Sequence, residues 1–231
     1  MIALADSAAH VFLDDLSAPV LDSTDEHHLA RVLRLRDGER VSASDGRGSW
    51  AWYRWSSGAL VPDSGISIEP RRRSTGIAVS LIKGDRLDWV VQKATEIGID
   101  RLIPMAAERS VVRWDGDKAA AQQQRLQRIA REAAMQSRRV WLPTVEPVVA
   151  AHAVLGVSGV LRADLGGGRR LEDVVESDPA LPVVVAVGPE GGWGDPERQA
   201  GAPSVSLGDN VLRTETAALV AAVLLSRDAV H

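Results

Sequence analysis

The sequence predicts an α/β protein in which a parallel sheet with helices follows a small β-rich domain. From Ile77 onward, short apolar runs alternate with helical patterns, and this alternation is typical of a parallel sheet covered on both faces. Before that point, Asp37-Gly38, Asp45-Gly46 and Ser57-Gly58 are turn signals between strand-like runs, which favours a small β-barrel or sandwich. A polar break separates the two parts, so we expect domains at residues 1–73 and 74–231.

One strand candidate of the first domain is rich in aromatic residues. Trp50 and Trp52 share one face of it, and Tyr53 and Trp55 share the other, because side chains alternate along a strand. Core packing is the expected role of at least one pair. Exposure for base stacking on RNA is the alternative role of the other pair.

The second domain begins with a strand at residues 77–82 and a helix that Asp85 is placed to cap and Gly98 to end. Further strands are expected at residues 102–105, within 157–165, at 183–187 and at 204–207, and further helices at about 119–138, 171–176 and 214–229. The last helix is apolar on all sides, so we expect it to be buried on more than one side, for instance against a second subunit.

Composition excludes several classes of protein. The chain has 231 residues, of which 45% are hydrophobic, and this suits a buried core. The absence of cysteine excludes disulfides, thiolate metal sites and cysteine nucleophiles, and five scattered histidines give no reason to expect a metal. No apolar run has the length of a membrane span and no leader pattern opens the chain, so we expect a cytosolic protein.

A local basic patch is a candidate for contact with RNA, although the net charge of the chain is −4. Residues 27–54 contain six arginines against three acidic residues, and attraction to phosphate acts only within roughly 8–10 Å at moderate salt. The alternative is a compositional bias that scatters arginine over the whole surface. The candidate RNA-binding residues are Arg31, Arg34, Arg36, Arg47, Arg109, Arg138 and Arg139.

Two glycine-bearing segments are the most informative part of the chain. The first is GPEGGWG (residues 188–194), and the second is LGDNVLRTETA (residues 207–217). Each follows a short β-like run, so both loops are expected at the carboxyl edge of one sheet, where ligands of open α/β sheets bind. Neither segment has a phosphate-binding pattern, and Glu190 would repel a phosphate. The two segments are therefore expected to bind a neutral or cationic small molecule. The alternative is that both are ordinary tight turns that bind no ligand.

These two segments resemble the cofactor-binding motifs of the RsmE family. The members of this family are SPOUT-class methyltransferases that make 3-methyluridine in small-subunit ribosomal RNA. The resemblance continues through the motifs KGDRLDWVVQKATEIG (83–98), ERSVV (108–112), REAAMQS (131–137), DGRG (45–48) and His28-x-x-x-Val32-Leu33-Arg34. At Asp209-Asn210 this chain departs from the family, because many relatives have proline and a basic residue there.

The resemblance implies a PUA-like β-barrel that binds RNA and a SPOUT domain with a deep trefoil knot. It also implies a homodimer that acts on 16S rRNA within the assembled small subunit, with S-adenosyl-L-methionine as cofactor. The implied cofactor-binding residues are Leu165, Gly188, Pro189, Glu190, Gly191, Gly192, Leu207, Gly208, Leu212, Arg213, Thr214, Thr216 and Ala217.

Methylation of the uridine imide nitrogen requires removal of a proton. The catalytic candidates are Arg213, which could stabilise charge on the base, and Glu190 and Glu215, with Glu132 as a further candidate base. The two loop glutamates could instead cap a helix or pair with Arg213.

Three alternative functions are compatible with the sequence: methylation of tRNA or another rRNA position, a non-catalytic RNA-binding assembly factor, and a nucleotide-dependent enzyme of Rossmann type.

Overall fold

The computed structural model describes residues 4–177 and 183–226. The described chain divides into two compact units. The first contains residues 1–71 together with 131–142, and the second contains residues 72–130 together with 143–231. The sequence-based division at residue 73 assigned residues 131–142 to the second domain, whereas these residues pack with the first unit. Periodicity predicted a helix here, but it carries no information on which core the end of that helix joins.

The first unit is built on a five-stranded sheet. Its helical elements are α1 (Ser23–His27) and a π-helical turn (His28–Val32), and its strands are β1 (Ala9–Phe12), β2 (Arg40–Ser44), β3 (Ser49–Ser56), β4 (Ala59–Pro62) and β5 (Ser67–Ile68). Strand β1 pairs with β2 in parallel, while β3 pairs antiparallel with β2, β4 and β5.

The aromatic strand β3 is largely buried on both faces. Tyr53 and Trp55 lie in the core of the first unit, where the Tyr53 hydroxyl donates a hydrogen bond to the Leu16 carbonyl. On the other face, Trp52 is buried and Trp50 packs against it edge to face. The Arg40 guanidinium covers the Trp52 ring at 4.0 Å. Core packing therefore occupies one pair, and the other pair does not form a free stacking surface.

A parallel sheet forms the centre of the second unit, as the sequence predicted. Its strands are β6 (Thr75–Ser80), β7 (Arg101–Ala106), β8 (Thr144–Val145), β9 (Val149–Ala150), β10 (Val160–Ala163), β11 (Arg169–Arg170), β12 (Val183–Val187) and β13 (Ser204–Ser206). Their order is β11-β13-β10-β12-β6-β7-β8, with β9 also paired to β7. The helices are α2 (Arg86–Ile97), α3 (Gly116–Gln136), α4 (Ala151–Leu155), α5 (Leu171–Ser177), α6 (Asp195–Gln199) and α7 (Thr214–Ser226).

Helices cover both faces of this sheet. Along β12, Val183, Val185 and Val187 face a core to which α2, α3, α5 and α7 contribute. Val184 and Ala186 face a second core, which contains apolar residues of α4. Because side chains alternate in a strand, a run that is apolar at every position requires cover on both sides.

Both ends of α2 were expected from the sequence, but only one of them carries the expected capping contact. Gly98 adopts a left-handed conformation, with φ of 116°, and ends the helix as predicted. Asp85 stands at the N-cap position, yet its side chain makes no capping hydrogen bond.

Within the described ranges no helix is long and apolar enough to cross a membrane.

Helix α7 buries one side against the sheet and leaves other apolar residues accessible. Ala218, Ala221 and Leu225 are buried in the core of the second unit. Val223, in contrast, is 46% exposed. The predicted end of this helix near residue 229 lies outside the described residues.

Candidate active site

Three neighbouring strands of the parallel sheet end side by side. Ala163, the last residue of β10, is in register with Val187, the last residue of β12, and with Val205 of β13. Because these strands are parallel, the loops that follow them leave the same edge of the sheet. The two glycine-bearing segments are the loops after β12 and β13, so the sequence placed them on this edge correctly.

The three loops enclose a pocket that we call the first cavity. Its free volume is about 750 Å³, including the part open to solvent. It is lined by Ala163, Asp164, Leu165, Val187, Gly188, Pro189, Glu190, Gly192, Trp193, Leu207, Gly208, Asn210, Val211, Leu212, Thr214 and Ala217.

Most of the residues expected to bind a cofactor are brought together here, and three are not. The lining includes Leu165, Gly188, Pro189, Glu190, Gly192, Leu207, Gly208, Leu212, Thr214 and Ala217. Gly191 lines a neighbouring cavity instead. Arg213 and Thr216 are exposed and line neither cavity. Their neighbours Leu212, Thr214 and Ala217 face the first cavity, so the chain alternates between inward and outward positions at the start of α7.

Side chains from within the loops fasten them to one another. The indole of Trp193 is buried and donates from Nε1 to the Ala163 carbonyl at 2.9 Å, which joins the loop after β12 to the end of β10. The Thr214 hydroxyl donates to the Gly188 carbonyl at 3.0 Å, which joins the start of α7 to the same loop. A Cβ atom on Gly188 would lie 2.8 Å from the Trp193 ring, so only glycine permits this close approach.

A buried carboxylate fixes the far end of the GPEGGWG loop. Glu197 accepts hydrogen bonds from the backbone N–H of Gly194 and from that of Glu108, each at 2.6 Å. Glu108 lies in the loop that follows β7. One carboxylate therefore holds two loops from different strands, and charge-assisted hydrogen bonds of this kind are among the stronger ones.

The electrostatic character of the first cavity is unfavourable to anions. Its two charged lining residues, Asp164 and Glu190, are both acidic, and no lysine or arginine lines it among the described residues. Asp164 is paired with Arg198 at 3.1 Å and with Arg162 at 3.6 Å, and Glu190 is paired with Arg86 at 3.0 Å, so the acidic character of the lining is partly neutralised. The exposed apolar side chains Leu165 and Val211 stand in its lining, as expected of a site that binds a partly apolar ligand.

Arg86 joins the two glutamates that the sequence marked as catalytic candidates. Its Nη1 atom lies 3.0 Å from Glu190 Oε1 and 3.4 Å from Glu215 Oε1. The hydrogen bond to Glu190 and the charge of Glu215 raise the pKa of Arg86 above its ordinary value, so the guanidinium stays charged. Both carboxylates thus pair with Arg86, and the sequence-based alternative of pairing with Arg213 is not what the structure contains.

The two carboxylates differ in their surroundings. The side chain of Glu190 is 61% exposed, while that of Glu215 is 12% exposed. Glu215 Oε2 is buried and makes no hydrogen bond within the described structure. Glu132, the third candidate base, belongs to the first unit and does not line the first cavity.

Comparison with known proteins places the chain in a family. The family model described as an RNA methyltransferase domain matches residues 69–226. A second model, described as an RNA methyltransferase PUA domain, matches residues 21–53. Ribosomal RNA small subunit methyltransferase E of Mycobacterium tuberculosis (strain CDC 1551 / Oshkosh) is 32% identical, and the match covers 90% of this chain and 86% of that relative. The enzyme of the same name from Bacillus subtilis (strain 168) is also 32% identical, with 90% of each chain covered.

The chain belongs to the methyltransferase E family. A crystal structure of ribosomal RNA small subunit methyltransferase E from Neisseria gonorrhoeae, bound to S-adenosyl methionine, superposes with a TM-score of 0.77. It is 28% identical to this chain, and the match covers 93% of this chain and 94% of that one. The RsmE resemblance expected from the sequence motifs is confirmed.

The arginines expected to contact RNA differ from one another in exposure in this member of the methyltransferase E family. Arg31, Arg34, Arg36 and Arg47 are exposed residues of the first unit. Arg138 is half-buried and donates to the Ser7 hydroxyl at 2.9 Å and to the Ser7 carbonyl at 2.7 Å, so it serves the packing of that unit. Arg139 is also half-buried and has a polar partner. Arg109 is exposed in the second unit.

Several residues of the site in this methyltransferase E family member were not singled out from the sequence. Asp164 and Trp193 line the first cavity, Glu197 fixes its loop, and Arg86 joins the two glutamates. Trp193 sits inside GPEGGWG, and a buried tryptophan in a glycine loop is a signal that could have been used. Glu197 stands three residues after Gly194, the N-cap of α6, and a glutamate at that position is also a local signal. Asp164 and Arg86 pair with residues that are distant in sequence. Among the described residues no cluster of histidine and carboxylate side chains is placed to hold a metal ion.

Proposed function

We propose that this protein uses S-adenosyl-L-methionine to methylate N3 of one uridine in 16S ribosomal RNA, giving 3-methyluridine. The first cavity is the observation that carries this proposal. It lies at the ligand-binding edge of a parallel sheet, its charged lining residues are both acidic, and it occurs in a chain of the methyltransferase E family.

The lining of the first cavity fits this cofactor. Leu165, Leu207 and Leu212 supply apolar walls for the adenosine. The glycines of the first loop bring backbone amides and carbonyls close enough to hydrogen-bond to the adenine edge. An all-acidic set of charged side chains suits a cation better than a phosphate. When bound, the cofactor supplies an electrophilic methyl group on a sulfonium.

The protein's own residues must accept the N3 proton and stabilise the charge that develops on the uracil carbonyls. Glu190 is our candidate for the proton acceptor, because it lines the first cavity and its carboxylate is exposed. Glu215 is the second candidate, since its Oε2 atom has no hydrogen-bond partner in the described structure. Arg213, which is exposed between two lining residues, is the candidate for stabilising the uracil carbonyls.

Recognition of RNA is assigned to the first unit in this proposal. Its exposed arginines, Arg31, Arg34, Arg36 and Arg47, supply phosphate contacts, and the unit folds as a PUA-like barrel of which residues 1–73 form the main part. The target is 16S rRNA, assembled in the small subunit, which places the protein in the cytoplasm.

We further propose a homodimer and a trefoil knot. The exposed apolar side chain of Val223 on α7 supports the dimer, because burial against a second copy would remove this surface from water. Membership of the methyltransferase E family supports the knot, in which the C-terminal segment threads through a loop. Residues 74–231, except for the segment 131–142 that packs with the first unit, then form the SPOUT domain.

Deletion of the gene tests the proposed function. A methyl group on N3 blocks the Watson–Crick edge and stops reverse transcriptase, so deletion should abolish one primer-extension stop in small-subunit RNA. A plasmid copy should restore the stop, and so should the Gly65→Val variant, because a Cβ on Gly65 meets nothing within 4 Å. Gly188→Val should not restore it, because the new side chain would displace Trp193.

Two other outcomes would contradict the proposal in different ways. A stop that persists in the deletion strain would remove the assignment to 16S rRNA, and mass spectrometry of the nucleosides would then show whether tRNA or another rRNA position has lost a methyl group. Absence of calorimetric binding at millimolar S-adenosyl-L-methionine would favour a non-catalytic RNA-binding protein.

A further inference from the structure

A second cavity lies on the opposite side of β12 from the first. Its free volume is about 470 Å³, including the part open to solvent. The loops after β6, β7 and β12 form it, and it is lined by Leu81, Ile82, Lys83, Arg86, Arg109, Val111, Val112, Pro189, Glu190 and Gly191. The inference drawn from it rests on the proposed function.

The two cavities share one wall. In the sheet, β12 lies between β10 and β6, so the loop after β12 stands between the loops that complete each cavity. Pro189 and Glu190 line both. A ligand in one cavity therefore adjoins a ligand in the other at these two residues.

The second cavity has the opposite charge character to the first. Lys83, Arg86 and Arg109 line it, against the single carboxylate of Glu190. Arg86 is already paired with Glu190 and Glu215. Two cations therefore remain for a ligand, and an anion is favoured.

Both remaining cations have N–H groups that are available to a ligand. Lys83 is exposed and makes no ion pair with any described residue. Arg109 is exposed and donates from Nη1 to the Gly191 carbonyl at 3.2 Å. This bond uses one of five guanidinium N–H groups and orients the side chain along the cavity wall.

The rest of the lining is apolar. Leu81 and Ile82 are buried, while Val111 is 76% exposed. An apolar surface beside two free cations matches a nucleotide, which has a flat base and an anionic phosphate. Enzymes that modify a base take it out of the stack and hold it in a pocket of this kind.

We propose that the second cavity receives the acceptor nucleotide of the RNA. The base, extruded from its strand, lies against Val111 and Val112, and its N3 atom meets the cofactor's methyl group where the two cavities adjoin at Glu190. The N3–carbon bond forms as the carbon–sulfur bond breaks, and the N3 proton passes to a carboxylate of the site. Lys83 and Arg109 bind the flanking phosphates. Arg86 is a positioning residue, which holds Glu190 in that wall.

Charge-removing variants test this site. Lys83→Gln, Arg109→Gln and the double variant should raise KM for small-subunit RNA, the double variant by about 10- to 100-fold, because each phosphate contact contributes to affinity. The dependence of RNA affinity on salt should weaken by a slope of about 0.7 for each lost contact to a single strand. Affinity for S-adenosyl-L-methionine should stay within about twofold in Lys83→Gln, since Lys83 does not line the first cavity. Lys118→Gln removes an exposed lysine on α3 and is the matched control.

Photo-crosslinking gives a second measurement that does not depend on activity. A short RNA with 4-thiouridine at the acceptor position should crosslink to the wild-type protein within residues 109–112. Wild-type methyl transfer together with crosslinks only outside residues 81–86, 109–112 and 189–191 would overturn the assignment. So would an unchanged KM for the double variant. Crosslinks at 109–112 without any methyl transfer would instead support the nucleotide site and overturn the proposed methylation.

Discussion

The two cavities beside β12 are built in the same way, yet they favour opposite ligands. Each is formed where neighbouring parallel strands end, and each uses the loop after β12 as a wall. Only acidic charged residues line the first, whereas three basic residues line the second. The difference predicts that a single sheet edge holds a cationic ligand beside an anionic one.

The largest expected effect comes from the side chain that holds the loops of both cavities. Glu197→Ala would leave the N–H groups of Glu108 and Gly194 without their acceptor, and hydrogen bonds to a charged group contribute about 1.5–3 kcal/mol each. We expect a loss of roughly 3 kcal/mol in the free energy of unfolding, measured by denaturant titration, and weaker binding in both cavities. Glu176→Ala, at the exposed end of α5, is the control. Normal binding in either cavity would mean that its loops do not depend on Glu197.

A smaller effect is expected from the residue that connects the two carboxylates. Arg86→Gln would leave Glu190 and Glu215 without their common cation, so the shared wall would lose its fixed geometry. We expect kcat to fall by about tenfold, with less change in the KM for either substrate. Arg86→Lys should recover part of kcat, because it restores one ion pair. A fall in thermal stability with unchanged kcat would show that Arg86 is only structural.

The smallest effect should be confined to the first cavity. Thr214→Val removes the hydrogen bond to the Gly188 carbonyl at nearly constant volume, a loss of about 0.5–1.5 kcal/mol. Calorimetry should show a two- to tenfold weaker affinity for S-adenosyl-L-methionine, with RNA affinity unchanged. Thr216→Val tests the other threonine that the sequence marked. A response to Thr216→Val and none to Thr214→Val would reverse this assignment.

The first cavity could be predicted from the sequence because its signals are local. Val183–Val187 is a short β-branched run, and the glycine segment follows it directly. Such a run requires a buried parallel strand, and the loop after it must then lie at the ligand-binding edge. Sequence reasoning failed within the loops, where it could not say that Thr214 faces inward and Thr216 outward.

The second cavity was not predicted, since its parts come from three distant segments. Lys83 and Arg109 are separated by a helix and a strand, and of the two only Arg109 was predicted from the sequence to contact RNA. Strand order brings them together, because β6 lies between β12 and β7. The position of residues 131–142 was missed for a related reason. Helical periodicity predicts which face of the helix is apolar, but tertiary packing determines which core that face joins.

The loop shared by the cavities also has a thermodynamic consequence. When a ligand on one side orders Pro189 and Glu190, a ligand that then binds on the other side loses less conformational entropy of these residues. Affinities on the two sides are then coupled, and the coupling is reciprocal: the factor by which the cofactor changes RNA affinity equals the factor by which RNA changes cofactor affinity. A wall of two residues would thus make binding of the two substrates cooperative, without any change of fold.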